Sequence, residues 1–306
     1  MARWKFSKRK ALLAGLLSLF LLPLGDGAQV RLHDGPWGPP LVVEDVRVFG
    51  PGGRYTIATK ILRPQGRGPF GAIVLSHGVP VSAEARRRES PELLLDTAAI
   101  LAGRGYAVIM PLRRGFGATG GWFAEDAGSC ANPDYRAGEA AAADDIMAAY
   151  NFARRLPYVD GSRMILAGQS AGGVASLYAA AARAPEGLVA VLAFAAGRGG
   201  DPERHPGEAC ASAQLARLFA ELGEHVKVPV LFHYASNDLF FNAKTSRMWF
   251  EHFRRGGAPA EYVLQPAFGD NGHYVFTDSA GARHWVPALG GFLRKHGLPF
   301  TSNQAT

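Results

Sequence analysis

The chain is poor in several things at once. It has only two cysteines and five methionines in 306 residues. Two cysteines cannot build a disulfide scaffold, and no group of Cys or His stands at metal-ligand spacing, so no metal site is expected. There is no internal repeat and no linker of biased composition. Charged residues are only 19% of the chain against 48% hydrophobic, which excludes a disordered chain and leaves ample material for one core. Its basic runs, such as Arg86-Arg87-Arg88, lack interleaved aromatics, so a nucleic-acid site finds no support. The apolar run Ala11 to Leu22 spans about 12 residues, short of the ~20 that cross a bilayer.

That run explains the net charge of +7. Arg3, Lys5, Lys8, Arg9 and Lys10 precede it, and Pro23 to Ala28 follow. The order is that of a secretory signal peptide, residues 1–27, with Gly25 and Gly27 as small residues for cleavage. Its removal takes away five cations and Asp26 and leaves +3. The expected location is periplasmic or secreted. The membrane is met only through this signal or through the same segment kept as an uncleaved anchor. The mature chain, 28–306, is expected to be a single domain.

What is present is a G-x-S-x-G, Gly168-Gln169-Ser170-Ala171-Gly172. It follows the short apolar run Arg163 to Ala167 and precedes the Ala-rich stretch Ala171 to Ala184. A serine at such a strand-turn-helix corner is held in a strained conformation that exposes its hydroxyl. A hydroxyl becomes a nucleophile only beside a base, and the base needs a carboxylate to fix its tautomer. Downstream, the apolar strand Val228 to Tyr234 runs into Ala235-Ser236-Asn237-Asp238. A second strand, Glu261 to Leu264, leads to the loop Phe268-Gly269-Asp270-Asn271-Gly272-His273. Ser170, Asp238 and His273 thus stand in the chain order of a Ser-Asp-His triad. Asp270 is a competing acid, read as a turn former because it lies three residues from His273 on the same loop.

These residues carry a resemblance. Together with Ser76-His77-Gly78-Val79-Pro80, Arg114-Gly115-Phe116-Gly117, Val159-Asp160-Gly161-Ser162-Arg163 and Gly272-His273, they make the chain similar to α/β-hydrolases of the dienelactone-hydrolase and prolyl-oligopeptidase-catalytic-domain type over residues 41–298. The resemblance implies an α/β-hydrolase fold, a mainly parallel eight-stranded sheet with helices on both faces. It implies no cofactor. Dienelactone hydrolases use a cysteine nucleophile where this chain has Ser170, so a lactone substrate is not carried over.

An attacked carbonyl becomes an oxyanion that preorganised N–H groups stabilise. Ala171, first in its helix, is one expected donor. Val79 is the other, since Pro80 has no N–H and Gly78 permits close approach. His77 is expected to brace this loop through its ring nitrogens. Phe116, Trp122, Phe123, Phe240 and Phe241 lie on loops expected to wall the pocket, and Phe116, Trp122 and Phe240 are the candidate apolar lining. Arg113 is a candidate for binding a substrate carboxylate. Arg114 is expected to pair with Asp144 or Asp145. Cys130 and Cys210 lie on two loops at the carboxyl end of the sheet. An exported chain favours a Cys130–Cys210 bridge over free thiols.

Apolar periodicity predicts strands at 41–48, 54–63, 71–77, 106–111, 163–168, 188–194, 228–234 and 260–265, the first two as an edge hairpin. Helical segments fall at 91–103, 138–155, 171–184, 242–256 and 283–296. Their alternation with the strands implies a parallel sheet. The insertion 197–222, with a short helix over 211–222, is expected to form a small cap over Ser170. The expectation is an exported serine hydrolase acting on a small-molecule ester. A small-peptide hydrolase and a non-catalytic binding protein on the same scaffold are the alternatives.

Overall fold

The computed structural model describes residues 29–33 and 40–301. Residues 1–27, expected to be a signal peptide, lie outside the described residues. In chain order the elements begin with β1 (Gln29–His33), β2 (Leu41–Phe49), β3 (Thr56–Pro64) and β4 (Phe70–Ser76). There follow α1 (Ala83–Arg88), α2 (Leu95–Ala102), β5 (Tyr106–Pro111), α3 (Tyr135–Ala153), β6 (Val159–Gln169), α4 (Ala171–Arg183) and β7 (Leu188–Phe194). The remainder is β8 (Gly200–Asp201), β9 (His205–Ala209), α5 (Ser212–His225), β10 (Val230–Ala235), α6 (Ala243–Arg255), β11 (Ala260–Gln265) and α7 (Ala282–Lys295).

All eight expected strands join one sheet, and β1 adds a ninth at its edge, giving the order β1-β2-β3-β5-β4-β6-β7-β10-β11. The first three strands and the β3–β5 pair are antiparallel; every pair from β5 to β11 is parallel. The central strands read as unbroken apolar runs because both faces are covered. In β4, Ala72 and Val74 face one layer while Ile73 and Leu75 face the other. In β6 the same alternation sends Met164 and Leu166 to the first layer and Ile165 and Ala167 to the second. Helices α3, α4, α5 and α6 cover the first face, and α2 and α7 the second.

One basic run finds its place, and one expectation changes. Arg86-Arg87-Arg88 lies in the short helix α1, capped by Ser82, whose side chain accepts from the Ala85 amide. The insertion is not a cap throughout. Leu215, Phe219 and Leu222 of α5 are buried in the first core layer beside Trp249 and Phe253 of α6. Only the antiparallel hairpin of β8 and β9 is left to reach over the carboxyl ends of the strands. Among the described residues no helix is long and apolar enough to cross a membrane.

Candidate active site

Ser170 sits between the last residue of β6 and the first of α4 with φ 57° and ψ −126°. That left-handed conformation costs a non-glycine residue of order 1–3 kcal/mol and persists only where its surroundings hold it. Here the Ser170 amide donates to the Phe194 carbonyl at 2.9 Å, and the Ser170 carbonyl accepts from the Gly173 amide at 2.9 Å. The glycines of the motif are required by contact. A methyl group on Gly168 would overlap the Gly172 carbonyl, and one on Gly172 would overlap the carbonyls of Ser76 and His77. The turn therefore presses the start of α4 against the loop after β4. The amides of Ala171 and Gly172, first in α4, have no carbonyl one turn back and can serve an anion.

Asp238 and His273 come together from separate loops. His273 Nδ1 lies 2.9 Å from Asp238 Oδ2 and 3.1 Å from Oδ1. Asp238 Oδ1 also accepts from the amides of Phe240 at 2.8 Å and Phe241 at 2.9 Å. These donors hold the acid in place. Asn271 Oδ1 accepts from the amides of both His273 and Leu239 at 3.0 Å, stapling the two loops together. Asn237 adds a second staple, accepting from the Phe268 amide at 2.9 Å and donating to the Gly269 carbonyl at 2.9 Å. The Phe240 ring stacks on the imidazole with centroids 4.1 Å apart. With Nδ1–H committed to the carboxylate, Nε2 is the ring atom that can accept a proton. Asp270 is exposed, as a turn former would be.

On the other side of Ser170, the loop Ser76–Pro80 is braced from within. His77 Nδ1 donates to the Gly78 carbonyl at 2.7 Å, and its Nε2 accepts from the Arg113 amide at 3.1 Å. Burial, reinforced by the Arg113 charge, holds the His77 pKa well below the usual imidazole range, so the ring is neutral with the proton on Nδ1.

Three expected substrate contacts are corrected. Arg113 is fully buried and its guanidinium is spent on protein groups, among them Glu125 Oε1 at 2.5 Å and Ser76 Oγ at 2.6 Å. It has no donor left for a substrate. Phe116 is also fully buried, packed edge-on against His77 at 4.5 Å. Trp122 is 66% exposed, and the Arg114 guanidinium lies over it and over Tyr55. Neither ring lines the cleft, because the turn Gly115–Gly120 folds back on the domain. Arg114 reaches Asp145 through its backbone amide at 2.7 Å, not through its side chain, and Asp144 pairs with Arg183 at 2.6 Å.

The cleft over Ser170 has two lobes. One, about 390 Å³, takes in Ser170, His273, Tyr274, Gly78, Val79 and Phe240. The other, about 360 Å³, takes in Ser170, Ala171, Val79, Phe123, Tyr135 and Phe240. Cys130 and Cys210 stand in the wall of the second lobe and are joined, their Cα atoms 5.1 Å apart. The β8–β9 hairpin hangs Asp201 and Arg204 over both lobes. Reading the sequence missed these two, and also Arg86 and Glu89 at the rim. Nothing in a two-residue strand announces a hairpin. The apolar positions Val81, Leu93 and Tyr274, about half exposed at the first lobe, carried no sequence signal either. Among the described residues no group of three or more His, Cys, Asp or Glu could hold a metal ion.

Comparison with known proteins bears on the fold. The prolyl oligopeptidase family profile matches residues 94–196, a third of the chain that contains Ser170 and ends just past β7. A comparison with curated proteins finds no match. Among solved structures, a protein of Klebsiella pneumoniae provisionally described as a dienelactone hydrolase superposes with a TM-score of 0.58 at 15% identity, over 83% of this chain and 99% of its own. An acetyl xylan esterase from Paenibacillus sp. R4 gives 0.56 at 19% identity, over 89% of this chain and 90% of its own. An acylaminoacyl peptidase from Pyrococcus horikoshii gives 0.56 at 12% identity, over 92% of this chain but half of that longer protein. At these identities the likeness carries the fold, and the chain has the α/β-hydrolase fold.

Proposed function

We propose that this protein is an exported serine hydrolase that cleaves carboxylic esters through Ser170, His273 and Asp238. The observation that carries the reading is a serine held at positive φ on a strand-helix corner, in one cleft with a histidine bonded to a buried aspartate. His273 Nε2 takes the Ser170 proton as Oγ attacks the ester carbonyl. The amides of Ala171 and Val79 receive the oxyanion. The imidazolium, stabilised by Asp238, gives its proton to the leaving alcohol. Water then enters, is deprotonated by His273 and releases the acid.

Export rests on the basic-apolar-small order of residues 1–27 and on the Cys130–Cys210 bridge, which persists in an oxidising compartment. The mature chain is then periplasmic or secreted. A second reading, a small-peptide hydrolase, is favoured by the family match over residues 94–196.

The test is a panel of p-nitrophenyl acyl esters and aminoacyl anilides, run beside Ser170→Ala. Esters should be turned over with the higher kcat/KM, and the variant should lose activity by about 10⁴-fold or more while staying folded. Anilides preferred by orders of magnitude would turn the assignment to the peptidase. A folded protein whose Ser170 resists a fluorophosphonate would turn it to a non-catalytic binding protein.

A further inference from the structure

The buried Arg113 is a charged group beside the loop Ser76–Pro80 that the reaction above does not use. Its donors converge on one loop. One terminal nitrogen donates to Ser76 Oγ at 2.6 Å and to the His77 carbonyl at 2.7 Å. The other donates to the Gly78 carbonyl at 3.4 Å and to Glu125 Oε2 at 3.1 Å, while Nε holds Glu125 Oε1 at 2.5 Å. The Gly78 carbonyl also accepts from His77 Nδ1, and His77 in turn accepts from the Arg113 amide.

The Gly78 carbonyl and the Val79 N–H belong to one planar peptide unit. In a trans peptide the two point in opposite directions. Tying the carbonyl back toward Arg113 and His77 therefore turns the Val79 N–H away from them, toward the cleft that Val79 lines. Two donors on that carbonyl also polarise the amide and make its N–H a stronger donor. Only a planar fork can hold the carboxylate and the carbonyls at once; an ammonium has three donors and no fixed plane. Glu125 balances the charge, which makes the clamp tolerable at zero exposure.

We propose that Arg113 is a positioning residue that sets the Gly78–Val79 peptide plane and so aims one of the two oxyanion donors. The proposal rests on the esterase reading above. It predicts a defect in the transition state and not in substrate binding.

The experiment compares the wild type with Arg113→Lys and with the charge-neutral double variant Arg113→Met/Glu125→Leu. Each is assayed on an oxygen ester and on its thiono counterpart, whose developing thiolate is a poor hydrogen-bond acceptor. Thermal unfolding confirms the fold of each variant. On the oxygen ester kcat should fall by about 10–10² with little change in KM, part of the ~10²–10³ that a whole oxyanion donor supplies. On the thiono ester the loss should shrink several-fold, and Arg113→Lys should fall between wild type and double variant. Arg113→Lys keeps Glu125 partnered and carries the test should the double variant not fold. Equal losses on both esters, or a change in KM alone, would reduce Arg113 to packing. A folded wild type inert on every ester would instead remove the esterase reading, and this inference with it.

Discussion

On one flank of Ser170, the Asp238–His273 pair is held by uncharged donors and acceptors of its own two loops. Phe240 and Phe241 donate their amides to Asp238 from two and three residues on, and Asn271 anchors His273 from two residues back. On the other flank, the loop carrying Val79 is held by groups far away in sequence. Arg113 lies 36 residues from His77, and its counter-ion Glu125 a further 12 along. The first arrangement is neutral amide donors around one acid, formed wherever two turns meet. The second is a buried ion pair, whose charges repay their desolvation only while every partner is in place. The first flank should therefore fail by chemistry when altered, and the second by geometry.

The sharpest way to break that contrast is Asp238→Asn. Asparagine keeps the oxygen that accepts from Phe240 and Phe241, so the loop should stay folded. Its NH₂ then takes the place of Oδ2 and donates to His273 Nδ1, which puts the ring proton on Nε2 and leaves no base facing Ser170, so kcat should drop by about 10³–10⁴. That exceeds the loss expected for the Arg113 variants, measured on the same ester. A smaller loss than theirs would invert the ranking of the two flanks.

A covalent tie adds to the second flank. Cys130 and Cys210 are 80 residues apart in sequence and join the outer wall of the lobe that contains Ala171. Closing a loop of that length removes about 4.5 kcal/mol of freedom from the unfolded chain. The pair Cys130→Ser/Cys210→Ser should lower denaturant stability by up to that amount. Turnover of a short acyl ester should change little, because Ser170, His273 and Asp238 do not depend on the bridge. A large fall in kcat at unchanged stability would mean that the bridge shapes the reacting geometry itself.

The contrast also separates what could be read in the sequence from what could not. The parallel sheet was legible because β4, β5, β6, β7 and β10 are apolar runs of strand length between Gly- or Pro-bearing breaks. The Asp238 and His273 loops were legible because each follows such a strand directly. Arg113 was misread as a substrate contact. An arginine beside a glycine turn looks the same whether it faces the cleft or the core, and Glu125 has no spacing relation to betray the pair. Helix α5 was misread as a cap although Leu215, Phe219 and Leu222 stand at helical intervals, the sign of a buried face. The β8–β9 hairpin was illegible because its sequence, Gly200 to Ala209, is polar and its first strand has two residues.

Behind the first flank lies a residue that makes the contrast pH-dependent. His233, in β10 and five residues before Asp238, is fully buried beside Phe194, ring centroids 5.3 Å apart. Burial pushes its pKa down to about 4, with the His284 charge adding to the effect and Gln265 opposing it. An unfolded histidine titrates near 6.5. Between those values the unfolded chain binds the proton and the folded chain does not, so stability rises with pH across the window. The contribution is whole above about 6.5 and is lost as pH falls toward 4, a swing of about 3 kcal/mol at the rate of ~1.4 kcal/mol per pKa unit. His233→Leu keeps the apolar contact with Phe194 and removes the titration. Its urea midpoint should decline less steeply than that of the wild type between pH 7 and pH 4, while Arg113→Lys, which leaves His233 in place, should keep the wild-type slope. Parallel declines for wild type and His233→Leu would show that acid sensitivity arises elsewhere. The neutral-donor flank would then lose its claim to be the one that acid weakens from beneath.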